Sequence, residues 1–267
     1  MKVQGKVIVV TGAGSGMGRE LTLELLRRGA SVAAVDMRQD TLEETKSLAG
    51  ANAGNVCTFI LDVTNADAVA GLPNEVIAAC GTVDALINNA GIIQPFVHIK
   101  DLSTEAARKV MEVNFWGPFG LVKAFLPHLL ARPEAHILNV SSMGAYAPVP
   151  GQTLYGASKA AVRLFSEGLR SELLDTNVGV TVAFPGAVAT NISVNSGLAM
   201  PANADEQSSK FKALAAPIAA KIMVNAIEAT KPRVTVGKDA TTMDRLSRLN
   251  PVMAANMIYK QMKSLLG

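Results

Sequence analysis

Short runs of β-branched and other apolar residues alternate along this chain with longer stretches of helical periodicity, and that alternation limits its fold most sharply. Val7–Thr11, Ser31–Val35, Val56–Leu61, Ala85–Asn88, His136–Val140 and Val178–Phe184 read as strands, with Val234–Val236 as a last one. Their residues are nearly all apolar, the pattern of strands covered by helices on both faces. Helices are predicted at Met17–Arg28, Leu42–Ala49, Ala66–Ala79, Thr104–Leu130 and Thr153–Asp175. Strand and helix in alternation imply a parallel sheet with right-handed crossovers. The expected architecture is therefore α/β, a doubly wound parallel sheet of about seven strands with helices on both faces.

No Pro/Ser-rich linker and no internal repeat divides the 267 residues, so a single domain over 1–267 is expected. The least regular stretch, 188–216, is rich in Ala, Ser, Asn and Gly and is expected to be a substrate-binding loop. The tail, Pro251–Leu266, carries Met253, Met257, Ile258, Met262 and Leu265 at helical spacing and reads as a helix packed on the body or a neighbouring subunit. A formal net charge of +3 without a local basic cluster argues against nucleic-acid binding. Cys57 and Cys80 lack metal-ligand spacing and read as buried free thiols of a reducing compartment. His98, His128 and His136 form no zinc pattern. No leader or membrane-spanning run is visible, so a cytoplasmic location is expected.

Between the first strand and first helix lies Thr11-Gly12-Ala13-Gly14-Ser15-Gly16-Met17-Gly18. Glycines there permit a tight turn and a close backbone approach to a ligand. The helix that follows presents free N–H groups and a positive dipole end to a pyrophosphate. That context favours a dinucleotide site held by Gly12, Ser15, Gly16, Met17 and Gly18. A phosphate loop of the nucleotide-hydrolase kind is excluded, because this one ends Gly18-Arg19-Glu20. The second strand leads to Asp36, with Met37 beside it. A carboxylate there accepts from both adenosine-ribose hydroxyls and repels a 2′-phosphate, which favours NAD over NADP. Arg38 pulls the other way, since its guanidinium could accommodate that phosphate.

Tyr155-Gly156-Ala157-Ser158-Lys159 opens a predicted helix, and residues four apart share a helical face. A phenol with its ordinary pKa near ~10 is a poor base at neutral pH, and a nearby cation stabilises the phenolate. Asn88-Asn89-Ala90-Gly91 follows the fourth strand, Asn139-Val140-Ser141-Ser142 closes the fifth, and Pro185-Gly186 follows the sixth. Together with Thr11–Gly18 and Tyr155–Lys159, these segments resemble, in order and spacing, the TGxxxGxG, NNAG, serine, YxxxK and PG motifs of the short-chain dehydrogenase/reductase family. The resemblance runs from Val7 to about Thr190.

The resemblance implies a Rossmann-like sheet and a hydride transfer between NAD(H) and a secondary alcohol or ketone. In it Tyr155 would be the general acid/base and Ser142 would hold the substrate oxygen. Lys159 would bind the nicotinamide ribose and lower the Tyr155 pKa, and Asn114 would hold a water of the proton relay. Ser141 is the rival of Ser142, and the family's thirteen-residue spacing before Tyr155 selects Ser142. Asp62 and Val63 would meet the adenine. Asn89, Ala90 and Gly91 would line the ribose and nicotinamide side. Pro185, Gly186, Val188 and Thr190 would hold the nicotinamide. Asp62 has an alternative reading as a strand-end cap, and Asn88 or Asn89 as stitches between strands.

Pro118 lies four residues after Asn114 and has no N–H to give its carbonyl, so a kinked helix with that carbonyl free for a water is expected. Gln94–Val97, Met143–Pro150 and Ala187–Met200 are expected to line the substrate pocket. Ala145, Ala147, Val149, Leu198 and Met200 make it apolar, which suits a hydrophobic alcohol or carbonyl compound. Family members commonly form dimers or tetramers through the helices that here are Thr104–Leu130 and Thr153–Asp175, so a homotetramer is expected.

Overall fold

Val7–Thr11 forms the central strand β1, buried at every position. A computed structural model describes residues 1–190, 192–198 and 213–263. The chain continues through α1 (Gly16–Arg27), β2 (Ser31–Asp36), α2 (Gln39–Leu48), β3 (Val56–Ile60), α3 (Ala66–Cys80) and β4 (Ala85–Asn88). It then runs through α4 (Thr104–Met111), α5 (Gly117–Leu130), β5 (Ala135–Val140), α6 (Thr153–Glu172) and β6 (Val178–Pro185). β7 (Val188–Ala189), α7 (Ile192–Asn195) and β8 (Leu214–Ala215) precede α8 (Ala216–Glu228), β9 (Arg233–Val236), α9 (Lys238–Leu249) and α10 (Pro251–Met262).

Seven strands make one parallel sheet in the order β3-β2-β1-β4-β5-β6-β9. Alternate residues of β1 serve two cores. Ile8 and Val10 pack with Leu21 and Leu25 of α1 and with Met223 and Val224 of α8. Val9 packs on the other face with Leu72, Val76, Leu121 and Phe125. Each fully buried side chain of this size contributes ~1.5–3 kcal/mol, so two apolar faces per strand are what hold the helices to the sheet. The seven expected strands are all present, with ends that differ by one residue at most.

Three departures have local causes. The expected helix Thr104–Leu130 is interrupted by a π-helical turn at Glu112–Trp116, where the Gly117 N–H bonds the Glu112 carbonyl. The turn absorbs the missing N–H of Pro118 by changing register, in place of the simple kink expected from spacing. Ala216–Glu228 is a helix outside the expected elements, with Lys221 and Asn225 on its exposed face and Ala220, Met223, Val224 and Ile227 buried. The expected loop 188–216 is bounded by structure: Val188 and Ala189 pair in parallel with Leu214 and Ala215, and Ile192–Asn195 is helical. Its centre, including Met200, lies outside the described residues, as does Leu265 of the tail.

Strand order reverses direction about β1 and β4, which opens a crevice beyond their carboxyl ends. Thr11, Asp36, Asn88, Val140 and Pro185 are the last residues of their strands, so the sheet gathers the motif loops on one edge. Among the described residues, no helix is long and apolar enough to cross a membrane, and no group of three metal-ligating side chains occurs. Cys57 and Cys80 are free, and burial pushes the Cys80 thiol up to about 12.

Candidate active site

The glycine loop is shaped by contact as much as by turning. A Cβ at Gly18 would stand 1.9 Å from the Gly12 carbonyl oxygen, so α1 can start this close to β1 only without a side chain there. Gly12 and Gly16 have φ of +66° and +53°, the left-handed region that favours glycine. Ser15 caps α1 in extended geometry, yet its side chain makes no capping bond, and no acidic residue occupies the first turn. The helix therefore offers its first N–H groups and dipole end to a ligand. Arg19 braces the loop from outside, donating to the Gly14 carbonyl at 2.6 Å and to the Thr45 hydroxyl at 3.1 Å. Met17 is half-buried at the start of the helix.

Asp36 closes β2 with a carboxylate held in place. Its Oδ2 accepts from the Gly14 N–H at 3.0 Å and its Oδ1 from the Arg38 N–H at 3.1 Å. Met37 beside it is 66% exposed. Among the described residues, no ion pair engages the exposed Arg38 guanidinium, so both the carboxylate and the cation border this end of the crevice. Asp62 is an exposed strand-end cap: its Oδ1 accepts from the Thr64 N–H and hydroxyl, leaving Oδ2 outside that turn. Val63 packs beneath Gly117 at the start of α5.

Asn89 and Asn88 are stitches. The Asn89 side chain donates to the Thr11 carbonyl at 2.9 Å, while the N–H groups of Asn89 and Ala90 donate to the Thr11 hydroxyl. Asn88 donates to Asn139, which donates to Ser166 of α6. These bonds fix the backbone of Ala90 and Gly91, the part of the loop that faces Lys159. A Cβ on Gly91 would lie 3.1 Å from both the Lys159 Nζ and the Asn114 Oδ1. A ribose could approach that ammonium only past a residue as small as glycine.

Tyr155 and Lys159 stand one turn apart on α6, and the Lys159 Nζ is 6.0 Å from the phenol ring centre. Lys159 is almost wholly buried and donates to the Val140 carbonyl at 3.0 Å. Burial lowers its pKa from 10.5 to about 8. Burial raises the Tyr155 pKa, against a smaller opposing effect of the Ser142 hydroxyl. Desolvation of the phenol outweighs the expected depression by Lys159.

Ser141 and Ser142 have different partners. Ser141 is buried and donates to the Lys159 carbonyl at 2.7 Å, pinning α6 to β5. Ser142 Oγ accepts the Gly144 N–H at 3.0 Å, and a Cβ on Gly144 would lie 3.5 Å from that oxygen and 3.4 Å from the Tyr155 ring. Tyr146, the other tyrosine nearby, is committed to the Ala240 carbonyl at 2.9 Å, and burial raises its pKa.

Asn114 is fully buried in the π turn. Its side chain accepts from the Ile92 N–H and donates to the Ile92 carbonyl, both at 2.9 Å, and donates to Ser158 at 3.0 Å. Ser158 donates in turn to the Tyr155 carbonyl at 2.7 Å. With the amide committed, any hold on a water falls to the Asn114 backbone carbonyl, to which Pro118 can give no N–H.

The loop after β6 closes the opposite side. Gly186 donates to Val236, and Ala187 donates to Asp239 of α9 at 2.7 Å. Thr190 comes within 3.3 Å of where a Gly16 Cβ would be. Asn195 of α7 donates to the Ser15 hydroxyl at 2.8 Å, and Ser196 accepts from the Ile93 N–H at 3.0 Å. Asp239, Asn195 and Ser196 were not read from sequence, because each acts across 52 to 180 residues and sits in no local motif. The apolar wall Met143, Tyr146, Ala147 and Val149 is backed by Met243, Ala254 and Ile258 of the C-terminal helices, so the tail helix packs on the body.

The glycine cradle, uncapped α1, restrained Asp36 and paired Tyr155 and Lys159 fit a nicotinamide dinucleotide. A model of the short chain dehydrogenase family matches residues 6–200. SadH of Mycobacterium tuberculosis is 38% identical over 252 residues, 92% of this chain and 91% of that protein. A solved short chain dehydrogenase/reductase from Burkholderia phymatum in complex with NAD superposes with a TM-score of 0.86 at 27% identity, covering 95% of this chain and 96% of the other. A short chain dehydrogenase from Burkholderia cenocepacia in complex with NADP gives 0.80 at 28% identity, covering 97% and 99%. The protein belongs to the short-chain dehydrogenase/reductase family of oxidoreductases.

Proposed function

We propose that this protein interconverts a hydrophobic secondary alcohol and its ketone with NAD(H), Tyr155 moving the hydroxyl proton. The observation that carries this reading is the gathering of the Tyr155 ring and the Ser142 hydroxyl beside Gly144, with the buried Lys159 ammonium 6.0 Å from the ring centre. Bound NAD would supply the hydride acceptor. Gly12, Ser15, Gly16, Met17 and Gly18 would seat its pyrophosphate, Asp36 and Met37 its adenosine ribose, and Asp62 and Val63 its adenine. Asn89, Ala90, Gly91 and Lys159 would hold the nicotinamide ribose, and Pro185, Gly186, Val188 and Thr190 the nicotinamide.

Each step that remains belongs to groups of this chain. Ser142 donates a hydrogen bond to the substrate oxygen and orients it toward the phenol. In oxidation the phenolate of Tyr155 takes the hydroxyl proton, and in reduction the phenol returns it. Lys159 stabilises the phenolate electrostatically. Asn114, through its backbone carbonyl, holds the water that passes the proton outward. The apolar wall from Met143 to Val149 favours a hydrophobic substrate.

The test is a panel of secondary alcohols and ketones assayed with NAD and NADP separately. NAD-dependent turnover of apolar members is expected, and a flat panel would sink the reading. Asp36→Ala should lower kcat/KM for NAD about tenfold or more while sparing NADP, since a charged acceptor of two hydroxyls is lost. An NADP preference in the unaltered protein would overturn this part. That second reading has one observation in its favour, the exposed Arg38 two residues from Asp36.

We further propose self-association through α5 and α6. Phe115, Trp116, Phe119 and Phe165 form an edge-to-face cluster with centroids 5.1 to 6.1 Å apart, and Trp116 and Leu164 are 50% and 72% exposed. Leu164→Asp should convert a dimer or tetramer into smaller species, read by light scattering on a sizing column. An unchanged mass would remove this face as the interface.

A further inference from the structure

Gln94 lies on the loop after β4, six residues beyond Asn88, yet its bonds go to the first turn of α6. It is 1% exposed. Its Oε1 accepts from the N–H groups of Leu154 at 2.7 Å and Tyr155 at 3.1 Å. Its Nε2 donates to the Gly151 carbonyl at 2.9 Å, and its own carbonyl accepts from the Gln152 side chain at 2.7 Å. The amide orientation is forced, because two N–H donors face one end and a carbonyl faces the other.

Helix α6 has no cap of its own to replace this. Its N-cap residue, Gln152, makes no side-chain capping bond, so the N–H groups of Leu154 and Tyr155 depend on Gln94. The cap comes from the same loop that carries Asn89, Ala90 and Gly91. Asn114 holds that loop at Ile92, both N–H and carbonyl, and reaches Tyr155 by the other side through Ser158. The Tyr155 N–H is thus held by Gln94 and its carbonyl by Ser158. One rigid path joins the nicotinamide side of the cofactor loop to the backbone of the proton-transfer residue.

We infer that Gln94 is a positioning residue that locks the first turn of α6 to the cofactor loop and so fixes where the Tyr155 phenol stands relative to the nicotinamide and substrate. This rests on the proposed alcohol–ketone chemistry, but the lock itself is a property of the fold. A misplacement on the order of 1 Å at a reacting group can cost about a hundredfold in rate, so a cap two peptide bonds wide is enough to matter.

Gln94→Ala and Gln94→Glu separate the alternatives. Alanine removes the cap and lets water reach the first turn. It should lower kcat about tenfold or more, with the cofactor Kd within a factor of about three. Glutamate keeps the acceptor for both N–H groups but loses the donor to the Gly151 carbonyl, so it should recover part of kcat. Spectroscopic titration, with Tyr155→Phe used to assign the signal, follows the phenol without turnover. The Tyr155 midpoint should fall in Gln94→Ala as the burial that raises it is relieved, and should hold or rise in Gln94→Glu. Unchanged kcat and midpoint in folded Gln94→Ala would overturn the inference, as would a loss of Tm alone. If no alcohol or ketone turns over with the unaltered protein, the proposed reaction fails while the titration still decides the role of Gln94.

Discussion

Tyr155→Phe should bind cofactor and fold as before while losing about a thousandfold in turnover, within the range of about 10²–10⁴ that a positioned proton-transfer group supplies. The substitution removes one oxygen from a half-buried ring. Ser142 keeps its bond from the Gly144 N–H, so the 3₁₀ turn Met143–Ala145 beside it retains its anchor. Stability should therefore change little. The pH dependence carries a sign. Alcohol oxidation needs the phenolate, and burial holds the Tyr155 pKa above its ordinary value. Oxidation should climb toward alkaline pH, and ketone reduction, which needs the phenol, should fall over the same range. The variant should lose both limbs. Residual activity within about tenfold of the unaltered protein would assign proton transfer elsewhere, because no effect of that class is so small. Tyr146 would be a poor substitute, since its hydroxyl is committed to Ala240.

The sheet was legible in the sequence because its strands are buried on both faces and so read as unbroken apolar runs. β1 is the clearest case, with Ile8 and Val10 in one core and Val9 in the other. Several candidate site residues lie at or just past the carboxyl end of a strand, where the turn constrains residue type, whereas Asn114, Tyr155 and Lys159 lie on helical segments and take their roles from the family resemblance. Gly18 meets the Gly12 carbonyl, and Asp36 is held by the loop it faces. What could not be read are contacts between distant segments made by ordinary polar residues. Gln94 was expected in the pocket wall, but nothing in its neighbourhood signals that its amide serves Leu154 and Tyr155, 60 and 61 residues on. Asp239 and Asn195 are of the same kind. The π turn around Asn114 was only half visible. Pro118 predicted that a backbone carbonyl would lose its donor, but a kink and a change of register both satisfy that condition. The helix Ala216–Glu228 does carry a period, with Pro217, Lys221 and Asn225 exposed four residues apart, but it directly follows an irregular stretch that reads as loop.

Lys159→Met should abolish most activity and yet stabilise the protein, a pairing that separates a functional lysine from a structural one. The lysine is buried, and its hydrogen bond to Val140 does not offset the loss of solvation, as the fall in its pKa from 10.5 to about 8 records. A basic group whose pKa is lower folded than unfolded costs stability while both states hold the proton, that is, below about pH 8. Between about 8 and 10.5 the folded state releases the proton first, the unfolded state binds more, and stability rises with pH. Methionine fills a similar volume without charge. It should therefore gain roughly 1–3 kcal/mol at pH 7 after loss of the bond to Val140, and the gain should shrink as pH passes from about 8 toward 10.5. Denaturant unfolding at pH 7 and at pH 10, beside kcat for the same preparations, tests both halves. A destabilised Lys159→Met at pH 7 would mean that the ammonium holds α6 to β5 and is not merely tolerated there. A stabilised but inactive one would mean that the fold carries this charge at a cost for the sake of the phenol one turn away.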